Sequence, residues 1–202
     1  MASHESIPCR ILPNPYDNDY FYNKSSLRDR DFIFVGRLIE QKGLMILLKA
    51  FVVLSKDGDC SLTIIGEGSQ KEIGEDYVRK IGLEDRVDFL GHQDAPQVAN
   101  QMRRHKVVVV PSIWEEPFGL VVLEGLACGC RVVAANRGGI PEGLNGLGIL
   151  YEAEDVADLA RALREQLSES VLMPEKQALC QHLEWHQPAN VAMEYENLLL
   201  KN

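Results

Sequence analysis

Two carboxylates frame the stretch IWEEPFGLVVLEGLACGC, Ile113 to Cys130: Glu116 stands just before an apolar run and Glu124 lies inside it. A carboxylate among Leu, Val and Gly is costly to bury unpaired, so Glu124 must bond to backbone, to a cation or to the hydroxyls of a ligand. Glu115 and Glu116 have a commoner use as first-turn acids that complement a helix dipole. Gly119, at the mouth of that helix, would leave main-chain amides uncovered where an anion can sit. A second constellation, GRLIEQKG, follows a strand-like run and sets Arg37 and Lys42 five residues apart behind Gly36. Two cations at a strand-to-helix turn make a phosphate site, although side chains that merely face solvent would read the same way.

Other loops carry weaker signals. IGEGSQKE, with Gly66 and Gly68, starts like a dinucleotide fingerprint, but Gln70 and Lys71 stand where a third glycine would fall. It reads as a loop that turns sharply or lets backbone approach a flat ligand. In FLGHQDAPQV, His92 lacks a partner at triad spacing and reads as an ordinary loop histidine, while Gln93 could offer polar groups to a base edge. NRGGIPEG reads as a tight turn that either lines the same cleft or simply connects two elements. Three Asp-x-Asp triplets, at Asp17, Asp29 and Asp57, raise the question of a divalent metal. The first two fall in the leader and the third in a turn at the wrong end of a sheet, so all three read as turn acids and no metal site is expected.

The elements that must position these groups alternate regularly. FIFVG, SLTIIG, RVDFLG, KVVVVPS, RVVAAN and LGILY are strand-sized and rich in Val and Ile. Runs apolar on both faces are what a buried parallel sheet produces. Between them the periodicity predicts helices over 44–56, 70–81, 96–105, 118–128 and 156–168, with two more over 174–183 and 188–200. The expected fold is therefore α/β, a doubly wound, Rossmann-like parallel sheet of about six strands with helices on both faces. Ligands collect at the carboxyl ends of such strands, which singles out the loops after Val35, Ile65, Leu90, Val110 and Ala135. The first thirty residues are polar and proline-containing and read as linker or edge material.

Composition excludes several classes. The 202 residues, 46% hydrophobic and 25% charged, can bury a real core. A net charge of -9 repels phosphate polymers, so nucleic acid and anionic membranes are poor partners, and an anion needs a local basic pocket. No apolar run is long enough to span a bilayer, which leaves peripheral membrane contact open. Five cysteines without repeated spacing, Cys60 and Cys128 among them in apolar runs, fit a reducing cytoplasm.

In order along the chain, ILPNPYDNDYF, FVGRLIEQKG, IIGEG, VDFLGH, VPSIWEEPFGLVVLEGLACGCRVVA, GGIPE and LEWHQPANVAMEYENLL resemble the C-terminal, donor-binding half of GT-B fold retaining glycosyltransferases of the glycosyl transferases group 1 family. The two glutamates separated by seven residues in EPFGLVVLE are the most specific of these motifs. The resemblance implies a hexosyltransferase whose donor is a nucleoside diphosphate sugar, UDP- or GDP-linked, used without a metal or other cofactor in glycan, glycolipid or glycoside biosynthesis. It implies that Arg37 and Lys42 hold the diphosphate and offset its charge as it leaves, and that Glu116 contacts the donor sugar. Gly36, Gly66, Phe118, Gly119 and Leu120 would line the sugar-phosphate portion, Glu124 would bind the ribose hydroxyls, and Gln93 would lie beside the base.

The implied organisation is a leader and interdomain hinge over residues 1–30, a donor-binding domain over 31–186, and over 187–202 a C-terminal helix returning toward an N-terminal acceptor domain. Two departures bear on function. The stretch between GGIPE and GILY is shorter than the family's usual one, so the far wall of the cleft should differ. The hinge-like segment begins within a dozen residues of Met1, so the chain is expected to be half an enzyme that binds donor and transfers sugar poorly without an acceptor domain. The alternative is a non-catalytic nucleotide-binding or regulatory module of the same fold. An NAD-dependent oxidoreductase is disfavoured by the missing glycine and by the fingerprint's place after the second strand.

Overall fold

The runs of Val and Ile become the strands of one sheet in the computed structural model, which describes residues 12–24, 27–168 and 173–200. The first half comprises β1 (Arg30–Val35), a 3-10 turn (Glu40–Lys42), α1 (Leu44–Leu54), β2 (Leu62–Ile65), α2 (Lys71–Lys80), β3 (Val87–Phe89) and α3 (Ala95–Arg104). The second comprises β4 (His105–Val110), α4 (Leu120–Ala127), β5 (Arg131–Ala135), α5 (Ile140–Leu144), β6 (Ile149–Tyr151), α6 (Val156–Leu167), α7 (Lys176–Trp185) and α8 (Pro188–Leu200). All six strands are parallel, in the order β3-β2-β1-β4-β5-β6. This is the doubly wound Rossmann-like order, which reverses between β1 and β4.

Burial on both faces explains why the strands lack alternation in sequence. Phe32, Phe34, Val107, Val109 and Val133 pack on one side with α1 and α6, while Ile33, Val108, Val110, Val132 and Ala134 pack on the other with α3, α4 and α5. Local signals start the helices. Asp94 accepts from the Gln97 amide at 2.9 Å while Gln97 accepts from the Asp94 amide at 3.0 Å, a capping box on α3. Asp155 accepts from the amides of Ala157 and Asp158 at the head of α6. His105, fully buried, ties the inner strands together: its Nδ1 donates to the Gln101 carbonyl at 2.6 Å, which leaves Nε2 to accept from the Thr63 hydroxyl at 2.8 Å. Burial holds this imidazole neutral, its pKa lowered to about 4.

Several sequence expectations are revised. GGIPEG is not a plain turn: its proline sits in the first turn of α5, where the missing N–H costs nothing. α7 begins and ends two residues later than the periodicity predicts. α4 begins at Leu120, so Glu124 lies little more than one turn inside it rather than two. The leader over 12–24 has no regular structure, yet Tyr16 and Phe21 are buried against the α3–α4 side of the sheet. Four of the six Asp-x-Asp acids form ion pairs, Asp29 with Arg104, Asp31 with Lys106, Asp57 with Arg164 and Asp59 with Arg86, while Asp17 accepts from the Asp19 amide at 3.1 Å. Residues 1–11, with Cys9 and the start of the hinge motif, and the last two residues of the C-terminal segment lie outside the described residues. Among the described residues no helix is long and apolar enough to cross a membrane.

Candidate functional site

Reversal of strand order leaves a crevice at the carboxyl ends of β1 and β4. It holds a cleft of about 500 Å³, lined by residues 34–37 and Lys42 from one loop, by 109–112, 116–121 and Glu124 from the other, and by Asn14 of the leader. A volume of this size suits a small organic ligand.

Main chain sets the geometry of the two loops. The Gln41 carbonyl accepts from the amides of Ile113 at 2.9 Å and Trp114 at 3.3 Å, which joins the loop after β1 to the loop after β4. Gly43 makes this approach feasible, because a Cβ there would stand 1.8 Å from the Pro111 carbonyl oxygen. The loop after β5 buttresses the assembly from behind. Gly139 donates to the Glu116 carbonyl at 2.7 Å, and a Cβ on it would fall 2.2 Å from the Pro117 oxygen.

This frame sets Lys42 against Glu116, and the Lys42 ammonium donates to Glu116 Oε1. The Ser112 hydroxyl donates to the same oxygen at 2.8 Å, so Oε1 is doubly occupied while no described residue bonds Oε2. The Glu116 side chain is only 11% exposed, which makes the pairing consequential. Arg37, by contrast, is exposed and has no side-chain partner among the described residues. Gly119, at φ 83°, caps α4 without a side-chain bond. No described group accepts from the amides of Gly119, Leu120 or Val121, so the dipole's positive end opens into the cleft.

Glu124 is half-buried in the cleft without a bonded partner among the described residues. Burial, and secondarily the charge of Asp17, raises its pKa to about 7. Asn14 reaches the cleft through a different route: its carbonyl accepts from His186 Nδ1 at 2.8 Å, and the His186 ring packs 5.2 Å from that of Phe118. The end of α7 thus holds the leader beside the mouth of α4.

Of the residues singled out from sequence, Gly36, Arg37, Lys42, Glu116, Phe118, Gly119, Leu120 and Glu124 all line this one cleft. Gly66 and Gln93 do not. Gly66 serves backbone against backbone: a Cβ there would lie 1.9 Å from the Gly36 oxygen, while Leu38 and Glu67 bond main chain to main chain at 2.8 Å. Gln93 sits on the loop after β3, its Oε1 buried without a partner among the described residues. Ser112 and Asn14 escape the sequence reading. A serine at a strand end carries no periodicity, and Asn14 reaches the cleft only through tertiary contact with His186.

The profile of the family described as glycosyl transferases group 1 matches residues 17–181. The chain belongs to that family. Among its group 1 relatives, the D-inositol 3-phosphate glycosyltransferase of Pseudarthrobacter chlorophenolicus is 36% identical over 173 residues, 80% of this chain and 41% of the relative. The sucrose-phosphate synthase of Thermosynechococcus elongatus superposes with a TM-score of 0.80 at 27% identity, over 95% of this chain and 52% of that one. The C-terminal domain of a group 1 glycosyltransferase from Francisella tularensis has the same fold, with a TM-score of 0.69 at 24% identity, over 89% of this chain and 98% of that domain. The chain spans less than half the length of the curated relatives it matches, 29% to 44% for the first two. It corresponds to the C-terminal domain of a GT-B glycosyltransferase.

Proposed function

We propose that this chain is the donor-binding part of a retaining glycosyltransferase that moves a hexosyl group from a nucleoside diphosphate sugar to an acceptor. The observation that carries the reading is the charge arrangement of the cleft: a guanidinium and three amides without partners among the described residues line it together with a carboxylate already paired with lysine. A diphosphate brings two or more negative charges. Arg37 and the α4 amides would receive it as directed donors, and Lys42 would share its charge between the phosphate and Glu116. As the bond to the leaving diphosphate stretches, negative charge grows on its oxygens, and these fixed donors stabilise it without reorganising.

In this reading Glu116 offers its unoccupied Oε2 to the donor sugar, because Oε1 is held by Ser112 and Lys42. Glu124, without a competing protein partner, offers its carboxyl to the ribose hydroxyls. Gln93, whose buried Oε1 has no partner among the described residues, and Gly66 would act at the base end of a ligand that extends beyond the cleft wall. No metal is needed for this charge balance. Exposed Met193, Tyr195 and Leu199 on α8 would face a second, acceptor-binding domain.

Calorimetric titration of the chain with UDP, GDP, ADP and NAD tests the proposal. One nucleoside diphosphate should bind, NAD should not, and both Arg37→Ala and Glu124→Ala should weaken binding by tenfold or so. Binding of no nucleoside diphosphate, or indifference to both substitutions, would sink it.

A further inference from the structure

Residues 113–118 join β4 to α4 without regular structure, so tertiary contacts decide where Glu116 stands. On one side the Gln41 carbonyl holds the Ile113 and Trp114 amides, and on the other the Gly139 amide holds the Glu116 carbonyl. Arg137, which does not line the cleft, supplies a third tie. Its Nε donates to the Ile113 carbonyl at 3.2 Å and lies 3.4 Å from a Glu115 carboxylate oxygen, while its Nη2 donates to Glu154 Oε1 at 3.2 Å. One guanidinium thus joins the loops after β4, β5 and β6. Among the described residues, no other side chain from outside the 113–118 segment bonds its main chain.

This junction suits position better than bulk stability. Glu154 is held at φ 70°, a left-handed conformation that residues other than glycine seldom adopt and that tends to mark sites where the surrounding structure demands it. Its carboxylate is exposed, and an exposed ion pair adds little to global stability. The loop that carries Arg137 also packs directly on Glu116: a Cβ on Gly138 would stand 2.5 Å from the Glu116 carbonyl oxygen and 2.6 Å from its nitrogen. Arg137 sorts the two acids as well, since it draws Glu115 to one side while Lys42 bonds Glu116 on the other.

We propose that Arg137 is a positioning residue: it clamps the loop after β4 to the turn before α6 and so keeps Glu116 at its pairing with Lys42 before any ligand arrives. It touches no ligand and carries no proton. Without the clamp, Glu115 and Glu116 compete for Lys42 and the 113–118 segment samples several positions, of which only some leave Glu116 and the α4 amides facing the cleft. The hold on the loop does not depend on what the cleft binds. Its effect on a nucleoside diphosphate rests on the donor-cleft reading.

Trp114, flanked by the two residues that Arg137 holds, is the probe, and a Trp185→Phe background leaves it the sole tryptophan of two in the chain. Two ligand-free readings come first: fluorescence anisotropy of Trp114, and hydrogen exchange at the Ile113 and Gly139 amides, which bond to the Gln41 and Glu116 carbonyls. Arg137→Ala should lower the anisotropy and speed both exchanges roughly tenfold. Glu154→Gly is the second variant, because it removes the carboxylate and the strained φ together. Its melting temperature should stay within about 2 °C of wild type while anisotropy and exchange move as in Arg137→Ala, a combination that a merely stabilising role would not produce. UDP, GDP and ADP are then titrated calorimetrically, and whichever binds the wild type should bind both variants roughly three- to tenfold more weakly. Unchanged readings at Trp114 and at both amides would overturn the proposal, and so would a looser loop with undiminished nucleotide affinity. If none of the three nucleotides binds the wild type, the donor-cleft reading falls, and the ligand-free readings alone decide whether Arg137 holds the loop.

Discussion

At the scale of single residues, the cleft separates groups that hold the protein together from groups that are free to hold something else. Arg37 is exposed and has no side-chain partner among the described residues, so Arg37→Ala should leave the melting temperature within about 1 °C while it weakens nucleoside diphosphate binding. Lys42→Ala should behave differently. It leaves the nearly buried Glu116 with Ser112 alone, and should cost about 1–3 kcal/mol in denaturant unfolding besides weakening the ligand. Glu124 adds a pH signature. Its folded pKa of about 7 lies above the ordinary carboxyl value, so the folded state holds a proton that the unfolded chain has released. Stability should fall as pH rises from about 4.5 to 7 and then level off, and Glu124→Gln should remove this component, gaining on the order of 3 kcal/mol or less above pH 7. His105 has the opposite slope, losing stability as pH falls from 6.5 toward 4, so the difference between wild type and variant is the quantity to measure. Of the charges, the acid inside an apolar run was legible in sequence because burying it unpaired is costly, whereas the cation pair after a strand read equally well as side chains facing solvent. The partners of these groups were not legible: nothing in the spacing says that Ser112 takes the same oxygen of Glu116 as Lys42.

At the scale of elements, strands and long helices were legible because their signals are local. Apolar runs outlined the sheet and their spacing outlined the helices, whereas the caps at Asp94 and Asp155 that start α3 and α6 appear only in the structure. α5 was missed because five residues opening on Gly-Gly-Ile-Pro carry more turn chemistry than helical period. The meeting of loops was missed for a deeper reason. Contacts from the Gln41 and Glu116 carbonyls are made by main chain, which is the same at every position, so only the glycines that permit them leave a trace. Gly139→Ala should therefore displace the loop at Pro117, cost 2 kcal/mol or so, and weaken ligands that depend on Glu116. Gly58→Ala, where an added Cβ meets nothing within 4 Å, is the matched control and should be close to neutral in the same thermal and binding measurements.

At the scale of the whole molecule, the order β3-β2-β1-β4-β5-β6 does most of the positioning, since its reversal at the paired strands β1 and β4 sets the loops that carry Arg37 and Glu116 side by side at their carboxyl ends. The loops after β1 and β4 and Asn14 of the leader line the cleft, and in the proposed function an acceptor-binding domain would face it. The 202-residue chain should then bind donor but turn it over at a rate far below that of a two-domain relative, and a transfer assay with and without a joined acceptor domain measures the gap. The unbonded amides of Gly119, Leu120 and Val121 have a use of their own. They sit beside Val122 and Leu123, which are wholly buried, so one short stretch passes from solvent-accessible N–H groups to shielded ones. Deuterium should enter those three amides quickly in the free protein and slowly once an anion sits on them. Exchange in a peptide covering 117–123 would thus report occupancy directly, with no need for turnover or for knowing which sugar is carried.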